Sequence, residues 1–233
     1  MSIIRFKNVT KAFDGVKVLD GLDFEVEKGE ILAVVGPSGT GKSVTLKHIV
    51  GLLDPDDGEV EIEGKPKIGY LFQSGALLAW LTVYENVALP LKETTNLKDS
   101  EIFDKVMTAL REVGLEDAAS KYPSEISGGM QKRAGLARAI VCDVDVVLYD
   151  EPTSGLDPVT SLTIHRLIKT LNREHGITSI IVTHDIQGAI NLADRIMLLK
   201  AGKAVATGTV EDFVNSDNNE VREVLTAMKG ELK

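Results

Sequence analysis

The chain has 233 residues, 43% of them hydrophobic, and a formal net charge of −9 at pH 7, which suits one large domain or a core with a subdomain. The acidic balance, with no basic stripe, argues against a nucleic-acid binder held by phosphate contacts and against direct adhesion to anionic lipid. With one cysteine, Cys142, with no run near the roughly 18 apolar residues of a membrane span, and with no signal-peptide pattern, we expect a soluble cytosolic chain without an internal disulfide.

The N-terminal part of the chain is predicted to form strands that lead into a glycine-rich loop. Residues 3–9 and 18–26 are strand candidates, and the apolar run 31–35 is predicted to be a buried strand. The loop, residues 36–43, has the sequence Gly-Pro-Ser-Gly-Thr-Gly-Lys-Ser and precedes a predicted helix at 44–50. Strand, glycine loop and helix in this order are the context in which the pattern G-x-x-x-x-G-K-[ST] binds nucleotide phosphates.

The chemistry of this loop follows from its residue types. Glycines let the backbone curl so that successive N–H groups point at an anion, and the helix N-terminus adds positive partial charge. Lys42 is expected to reach the β- and γ-phosphates, and the Ser43 hydroxyl to hold Mg²⁺. The alternative is an ordinary glycine-rich turn, but the flanking strand and helix favour the nucleotide site. The expected ATP-binding residues of the loop are Gly36, Pro37, Ser38, Gly39, Thr40, Gly41, Lys42, Ser43 and Val44.

Strand signals continue as far as Gln73. Residues 54–58 are a predicted turn, 59–63 an exposed antiparallel strand and 68–72 a buried strand that ends at Gln73. The amide oxygen of Gln73 is a candidate to coordinate Mg²⁺ or to position a water molecule, although glutamine also ends strands without any such role.

The next part of the chain has helical periodicity. Residues 77–91 are apolar but interrupted, 97–113 have the period of an amphipathic helix, and Ser127 is a candidate N-cap for a helix that runs to about 139. Residues 91–141 are therefore predicted to form an inserted helical subdomain.

Ser127, Gly128 and Gly129 open that last helix. A serine and paired glycines at a helix N-terminus can form a second anion site by the same logic as the first. The alternative is a capped helix after a loop, and the local sequence alone favours this alternative.

Strand and helix then alternate again. Residues 144–149 and 179–183 are predicted buried strands, and a helix begins after Asp157, with Pro158 at its first position. A short helix is predicted at 186–193. The final predictions are a hairpin at 196–199 and 204–207 and a helical tail from 210 onward.

Polar side chains follow the two buried strands. Asp150 and Glu151 end the first and His184 ends the second, and in open α/β sheets ligands bind at the carboxyl ends of strands. Asp150 is expected near Mg²⁺, Glu151 to polarise the attacking water as a general base, and His184 to contact the γ-phosphate and orient that water. The alternatives are an acidic pair that ends a strand at the surface and a structural histidine.

These motifs, in this order, resemble the ATP-binding subunits of ABC transporters over nearly the full length of the chain. The matching pieces are the Walker A loop 36–43, a Q-loop at Gln73, the signature Ile-Ser-Gly-Gly-Met at 126–130, Walker B at 146–150 with Glu151, the D-loop 154–157 ending at Asp157, and the switch residue His184. Phe13 lies where the family has an aromatic residue that stacks on adenine, and Met130 replaces the usual glutamine at the end of the signature.

The resemblance implies a fold and a mechanism. The fold is α/β, with a P-loop NTPase (RecA-like) core, an antiparallel β subdomain and an inserted helical subdomain. The implied single ABC ATPase domain has its core at 1–90 and 142–210, its helical subdomain at 91–141 and a C-terminal helical tail at 211–233. Two subunits would pack head to tail as a homodimer, so that Ser127, Gly128 and Gly129 of one contact the ATP bound by the other, with Mg²⁺ held by Ser43, Gln73 and Asp150. Asp157 is implied as a further nucleotide-site residue.

Two segments also resemble the ATPases of lipid-asymmetry (Mla) phospholipid transporters. They are 70–77, with Ser-Gly-Ala-Leu after Gln73, and 81–91, and residues 123–130 and 220–225 agree. This resemblance implies an integral membrane permease, a periplasmic MCE lipid-binding protein and a STAS-domain subunit as partners, and a peripheral position on the cytoplasmic face of the inner membrane. Leu77, Leu78 and Trp80 are candidates for the groove that receives the permease, and ordinary core packing is the alternative.

Three rival functions share parts of this pattern. An ATPase of an importer for another solute, such as an amino acid or a metal, would have the same ATP chemistry and a different permease. A DNA-repair or translation member of the superfamily would usually carry a coiled-coil insertion or a second cassette. An ATP-binding protein that does not hydrolyse ATP would lack Glu151, which is present.

Overall fold

The computed structural model describes residues 1–230, which divide into two compact units. The terminal unit comprises residues 1–66 and those from 176 onward, and the central unit comprises residues 67–175. The strands are β1 (Ser2–Phe13), β2 (Val16–Glu27), β3 (Ile31–Val35), β4 (Asp57–Ile62), β5 (Ile68–Leu71), β6 (Val146–Asp150), β7 (Thr178–Thr183), β8 (Arg195–Lys200) and β9 (Lys203–Thr209). The helices are α1 (Lys42–Ile49), α2 (Val83–Thr94), α3 (Asp99–Glu112), α4 (Gly128–Ile140), α5 (Pro158–His175), α6 (Ile186–Leu192), α7 (Val210–Val214) and α8 (Asn219–Gly230).

An antiparallel sheet in the terminal unit has the order β2-β1-β4. Phe6 of β1 lies opposite Phe24 of β2, both are buried, and their rings stack with centroids 4.4 Å apart. Charged residues alternate with the apolar ones, and Lys7 pairs with Glu59 at 3.0 Å, a type of exposed contact that contributes little to stability. Strands β1 and β2 run past their predicted ends because their pairing continues to the hairpin turn after Phe13.

A second set of strands in the terminal unit positions the phosphate loop. Strand β3 lies between β7 and β8 and is parallel to both, while β9 is antiparallel to β8. Every residue of β3 and β7 is buried, and strands buried on both faces have nearly continuous apolar runs. Val35 pairs with Thr183, so the residues that follow these two strands, Gly36 and His184, leave the sheet at the same edge.

The helices that follow β7 close a hydrophobic core against β3 and β8. Phe213 of α7 is 2% exposed and Val221 of α8 is fully buried. The buried members of this core are Ala33, Val35, Ala189, Ile196, Leu198, Phe213 and Val221. The C-terminal segment that the sequence predicts to be a helical tail therefore contributes to the core of the terminal unit.

In the central unit, β5 and β6 pair in parallel, with Leu71 opposite Tyr149. Helix α3 buries Ile102, Val106 and Leu110, which confirms the amphipathic helix predicted within 97–113. Helix α4 begins after Ser127, whose side chain accepts a hydrogen bond from the Met130 amide, so the predicted N-cap is confirmed as well.

Helix α2 differs from the sequence expectation of an interrupted apolar stretch. It begins at a capping box formed by Thr82 and Glu85 and continues through Pro90. The buried Asn86 does not break the helix, because its side-chain amide bonds the carbonyl oxygens of Leu78, Leu81 and Thr82 and its Oδ1 accepts the Leu78 amide. Hydrogen bonds to the preceding loop thus hold in a helix a residue that local propensity assigns to a turn.

In residues 1–230, no helix combines the length and the apolar character that crossing a bilayer requires. The division into a core at 1–90 and 142–210, a helical subdomain at 91–141 and a tail at 211–233 stays a prediction. Residues 231–233 of that tail lie outside the described residues.

Candidate nucleotide site

The phosphate loop joins β3 to α1 within the terminal unit. Lys42 is buried, and its Nζ donates hydrogen bonds to the carbonyl oxygens of Gly36 at 2.8 Å and Pro37 at 3.0 Å. The Thr40 hydroxyl donates to the same Pro37 oxygen at 2.9 Å. Gly41, in the left-handed conformation, precedes α1 without a side-chain cap, and the first turn of the helix carries no acidic residue. A helix N-terminus of this kind, beside a lysine, accepts anions.

The backbone of the loop requires glycine at its first position. Gly36 has a φ of 156°, and a Cβ atom there would lie 2.2 Å from the carbonyl oxygen of Leu199. The remaining predicted loop residues differ in exposure, since Ser38 and Gly39 are exposed while Ser43 and Val44 are half-buried.

His184 shares a cavity with the phosphate loop. This cavity, of about 610 Å³, is lined by Gly36 and Pro37, by His184 with the start of α6, and by Val224, Ala227 and Met228 of α8. The register of β3 and β7 brings the histidine to the loop, as the rule for strand ends predicts. The sequence did not predict that α8 lies beside the phosphate loop, because an amphipathic helix of ordinary composition gives no local sign of the cavity that it lines.

Phe13 lies at the end of β1 with 41% of its surface exposed. The Lys11 Nζ lies 5.8 Å from the centre of its ring and is also 2.7 Å from Oδ1 of Asp56. The hydrogen bond from Lys11 lowers the pKa of the Asp56 carboxyl below its usual range. Phe13 is not among the residues that line the cavity at Gly36.

In the central unit, β6 delivers the acidic pair. Asp150 and Glu151 are 8% and 9% exposed, and the Tyr70 hydroxyl donates a hydrogen bond to Oδ2 of Asp150 at 3.1 Å. Burial, followed by the charge of Asp150, raises the pKa of Tyr70 well above its usual value. Glu151 has a φ of 47°, a left-handed conformation that is uncommon for a residue other than glycine.

Gln73, at the end of β5, belongs to the same unit as the acidic pair. The side chain of Gln73 is exposed. The main-chain carbonyl oxygen of Gln73 accepts a hydrogen bond from Nζ of Lys132 on α4. The same Nζ donates to the carbonyl oxygen of Glu151 at 3.1 Å. Sequence analysis missed Lys132, because a lysine inside a polar helix pattern is expected on the solvent side.

The signature segment and Asp157 begin neighbouring helices of the central unit. Oδ1 of Asp157 accepts the amides of Val159 and Thr160 at 3.0 Å each, so that Asp157 caps α5. A Cβ atom at Gly129 would lie 2.5 Å from Cγ2 of Thr160, so a larger residue there would require the Thr160 side chain to move. Ser127 is exposed beside them.

The predicted residues thus fall into two groups, each described within its own unit. The terminal unit contains the phosphate loop, Phe13 and His184. The central unit contains Gln73, Asp150 and Glu151, the signature residues and Asp157.

Comparisons with known proteins agree with this geometry. A sequence model of the ABC transporter family matches residues 19–154. A Mycobacterium leprae protein described as the probable ribonucleotide transport ATP-binding protein mkl is 41% identical over 97% of this chain and 69% of its own. The intermembrane phospholipid transport system ATP-binding protein MlaF of Haemophilus influenzae is 39% identical over 99% of this chain and 91% of its own. The ATP-binding cassette MJ0796, solved as a dimer in a post-hydrolysis state with ADP and Pi, superposes with a TM-score of 0.81 at 34% identity, over 89% of this chain and 98% of that one.

The family match covers more than half of the chain, and the chain therefore belongs to the ABC transporter family. Within that family it is the ATP-binding subunit, an ATPase. The predicted fold class, an α/β cassette with an antiparallel β subdomain and a helical region, is confirmed.

Proposed function

We propose that this chain is the ATPase subunit of a transporter that moves phospholipid across the cell envelope. The observation that carries the proposal is the similarity to MlaF, which is named for intermembrane phospholipid transport and matches 99% of this chain. The segments 70–77 and 81–91, which resemble those of Mla ATPases, also support it.

In the proposed ATPase cycle, the loop amides and Lys42 bind the β- and γ-phosphates, Phe13 stacks on adenine, and Asp157 supports the nucleotide site. Glu151 accepts the proton of the attacking water as a general base, while Gln73 and His184 orient that water. The buried Lys42 ammonium and the cavity that His184 shares with Gly36 support these roles.

Mg²⁺ fits the donors that the chain offers. Ser43 follows the buried Lys42 in the first turn of α1, and Asp150 is a buried carboxylate at a strand end. Mg²⁺ takes few protein ligands and keeps water and phosphate oxygens. We propose Ser43, Gln73 and Asp150 as its ligands, and the ion, when bound, would neutralise phosphate charge.

The proposed active form is a homodimer. Ser127, Gly128 and Gly129 would contact the γ-phosphate of the ATP held by the second copy, and hydrolysis would release the pair. The exposed signature serine and the dimeric state of the solved cassette that the chain resembles support this arrangement.

The proposed partners are an integral membrane permease, a periplasmic MCE lipid-binding protein and a STAS-domain subunit, with the ATPase held on the cytoplasmic face of the inner membrane. Trp80 is 73% exposed, and Leu77 and Leu78 beside it are half-buried. An exposed indole next to apolar side chains favours contact with another protein, and we propose the permease as that protein.

The alternative is an ATPase for another solute. The similarity to mkl, which is named for ribonucleotide transport, favours this candidate, and an amino acid or metal importer is a further version of it. All versions share the ATP chemistry and differ in the permease.

The test is to purify the transporter complex that contains this chain from its native membranes and to measure its ATPase rate with candidate cargo. We expect phospholipid to copurify with the complex and to raise its ATPase rate, and complex carrying Glu151→Gln to retain the lipid without the stimulated rate. A complex without bound phospholipid, stimulated instead by a ribonucleotide, an amino acid or a metal ion, would contradict phospholipid transport and support the alternative.

A further inference from the structure

Lys132 is a buried cation on the signature helix, α4. The residue is five positions after the N-cap, Ser127, and is 5% exposed. Its Nζ donates one hydrogen bond to the Gln73 carbonyl oxygen and one, at 3.1 Å, to the Glu151 carbonyl oxygen. One ammonium group thus connects the signature helix, the end of β5 and the end of β6 within the central unit.

The buried position of Lys132 indicates that its charge has a role in the structure. Burial lowers the pKa of Lys132, and the charges of Glu151 and Asp150 oppose that shift. A buried ammonium costs free energy unless its donors are satisfied, and an apolar side chain of similar length would fill the same space without that cost. The hydrogen bonds to two main-chain oxygens offset that cost.

The main chain of Glu151 has a conformation that needs such support. It has a φ of 47°, and a non-glycine residue in the left-handed region persists only where its surroundings hold it. Its carbonyl oxygen is the atom that Lys132 binds. Loss of that bond would loosen the backbone from which the Glu151 carboxylate projects.

We propose that Lys132 is a positioning residue for ATP hydrolysis, which fixes the main chains of Gln73 and Glu151 to the signature helix so that the three segments keep one geometry. The inference rests on the proposed role of Glu151 as the general base. Lys132 touches the carbonyl oxygens of these residues and acts on the reaction through them.

The neighbouring Arg133 provides a matched control. Its guanidinium also donates to two main-chain carbonyl oxygens, those of Val113 at 2.8 Å and Gly114 at 3.1 Å. Burial lowers the pKa of Arg133 as it does that of Lys132. The two residues therefore share a helix and a type of contact, and differ in which segment they hold.

The experiment compares Lys132→Met, Lys132→Gln and Arg133→Met in the full-length protein. For Lys132→Met we expect kcat to fall about 100-fold, the loss that a displacement of about 1 Å at a catalytic group can produce, with ATP affinity unchanged because the phosphate loop is intact. Lys132→Gln keeps an N–H donor and should recover part of kcat. Arg133→Met should lower the melting temperature and leave kcat near that of the parent.

Hydrogen exchange and a double variant complete the test. Amides at 73–76 and at 151, 153 and 154 should exchange faster in both Lys132 variants, and those at 113–116 in Arg133→Met. In the Glu151→Gln background, Lys132→Met should cause no further loss of kcat. If Lys132→Met does not fold, Lys132→Gln carries the same measurements.

The outcomes separate this inference from the proposed function. If Glu151→Gln hydrolyses ATP at the parental rate, Glu151 is not the general base. The hydrogen-exchange data would then test only the contact between Lys132 and the main chain. Two outcomes would overturn the positioning role alone. One is stalled hydrolysis in Glu151→Gln together with parental kcat in Lys132→Met. The other is an equal loss of kcat in Lys132→Met and Arg133→Met.

Discussion

A methyl group at position 36 has no room in the phosphate loop. Its carbon would lie 2.2 Å from the Leu199 carbonyl oxygen, a contact with backbone that no rotamer can relieve. We expect Gly36→Ala to weaken ATP binding at least tenfold and to lower the free energy of unfolding by about 1–3 kcal/mol, measured by nucleotide titration and by urea denaturation.

Gly39→Ala is the control for this substitution. Gly39 also has a positive φ, of 81°, but a Cβ atom there would meet nothing within 4 Å. Its cost is then confined to backbone strain, about 1–2 kcal/mol. A Gly36→Ala protein that binds ATP as well as Gly39→Ala would contradict the account of the close approach at Leu199.

At the scale of elements, α8 belongs to the core that supports the phosphate loop. Val221 is fully buried with Val35, the last residue of β3, in one cluster. Val221→Ala should lower the free energy of unfolding by about 2 kcal/mol, through lost burial and the cavity left behind, as measured by urea denaturation. Thr226→Ala, a substitution at an exposed position of the same helix, should change the free energy of unfolding by less than about 0.5 kcal/mol. An equal effect of the two substitutions would place α8 outside the core.

The helices and strands were predicted correctly where their sequence pattern is local. Strands β3 and β7 are unbroken buried runs, and Ser127 caps α4 as predicted. Helix α2 was missed, because Asn86 and Pro90 interrupt the local pattern while the contacts of the Asn86 side chain lie in the preceding loop.

At the scale of the whole molecule, the proposed trans contact of the signature predicts an ATP-dependent dimer. Glu151→Gln with ATP should elute as a dimer and hydrolyse ATP at least 100-fold more slowly than the parent. The variant lacks the general base, and the dimer persists because hydrolysis is what releases it. Light scattering after gel filtration measures the mass. Adding Lys42→Ala should abolish the dimer, and a monomeric Glu151→Gln protein that holds ATP would contradict the trans arrangement.

The exposed Trp80 belongs to the same scale, since its proposed partner is another subunit. Trp80→Glu should keep ATP affinity and lose copurification with the permease, because a buried carboxylate would be left unpaired in the interface. Phe103→Glu, which alters another exposed aromatic of the central unit, should keep both properties. Undiminished copurification of Trp80→Glu would remove this residue from the docking surface.

The residues of the candidate site were predicted from the sequence because phosphate chemistry demands particular residues at fixed spacing. Gly36 to Ser43, Glu151 and His184 each follow a buried strand, and that order can be read along the chain. Their catalytic roles stay predictions until the variants above are measured.

Local periodicity and short motifs, which depend on neighbours within a few residues, sufficed to indicate an ATP-binding α/β cassette and its fold class. Only the tertiary structure shows that Lys132 bridges two main-chain oxygens and that α8 lines the cavity at Gly36. These contacts join residues far apart in the chain, and they depend on the burial, register and hydrogen-bond geometry that arise only when the chain has packed.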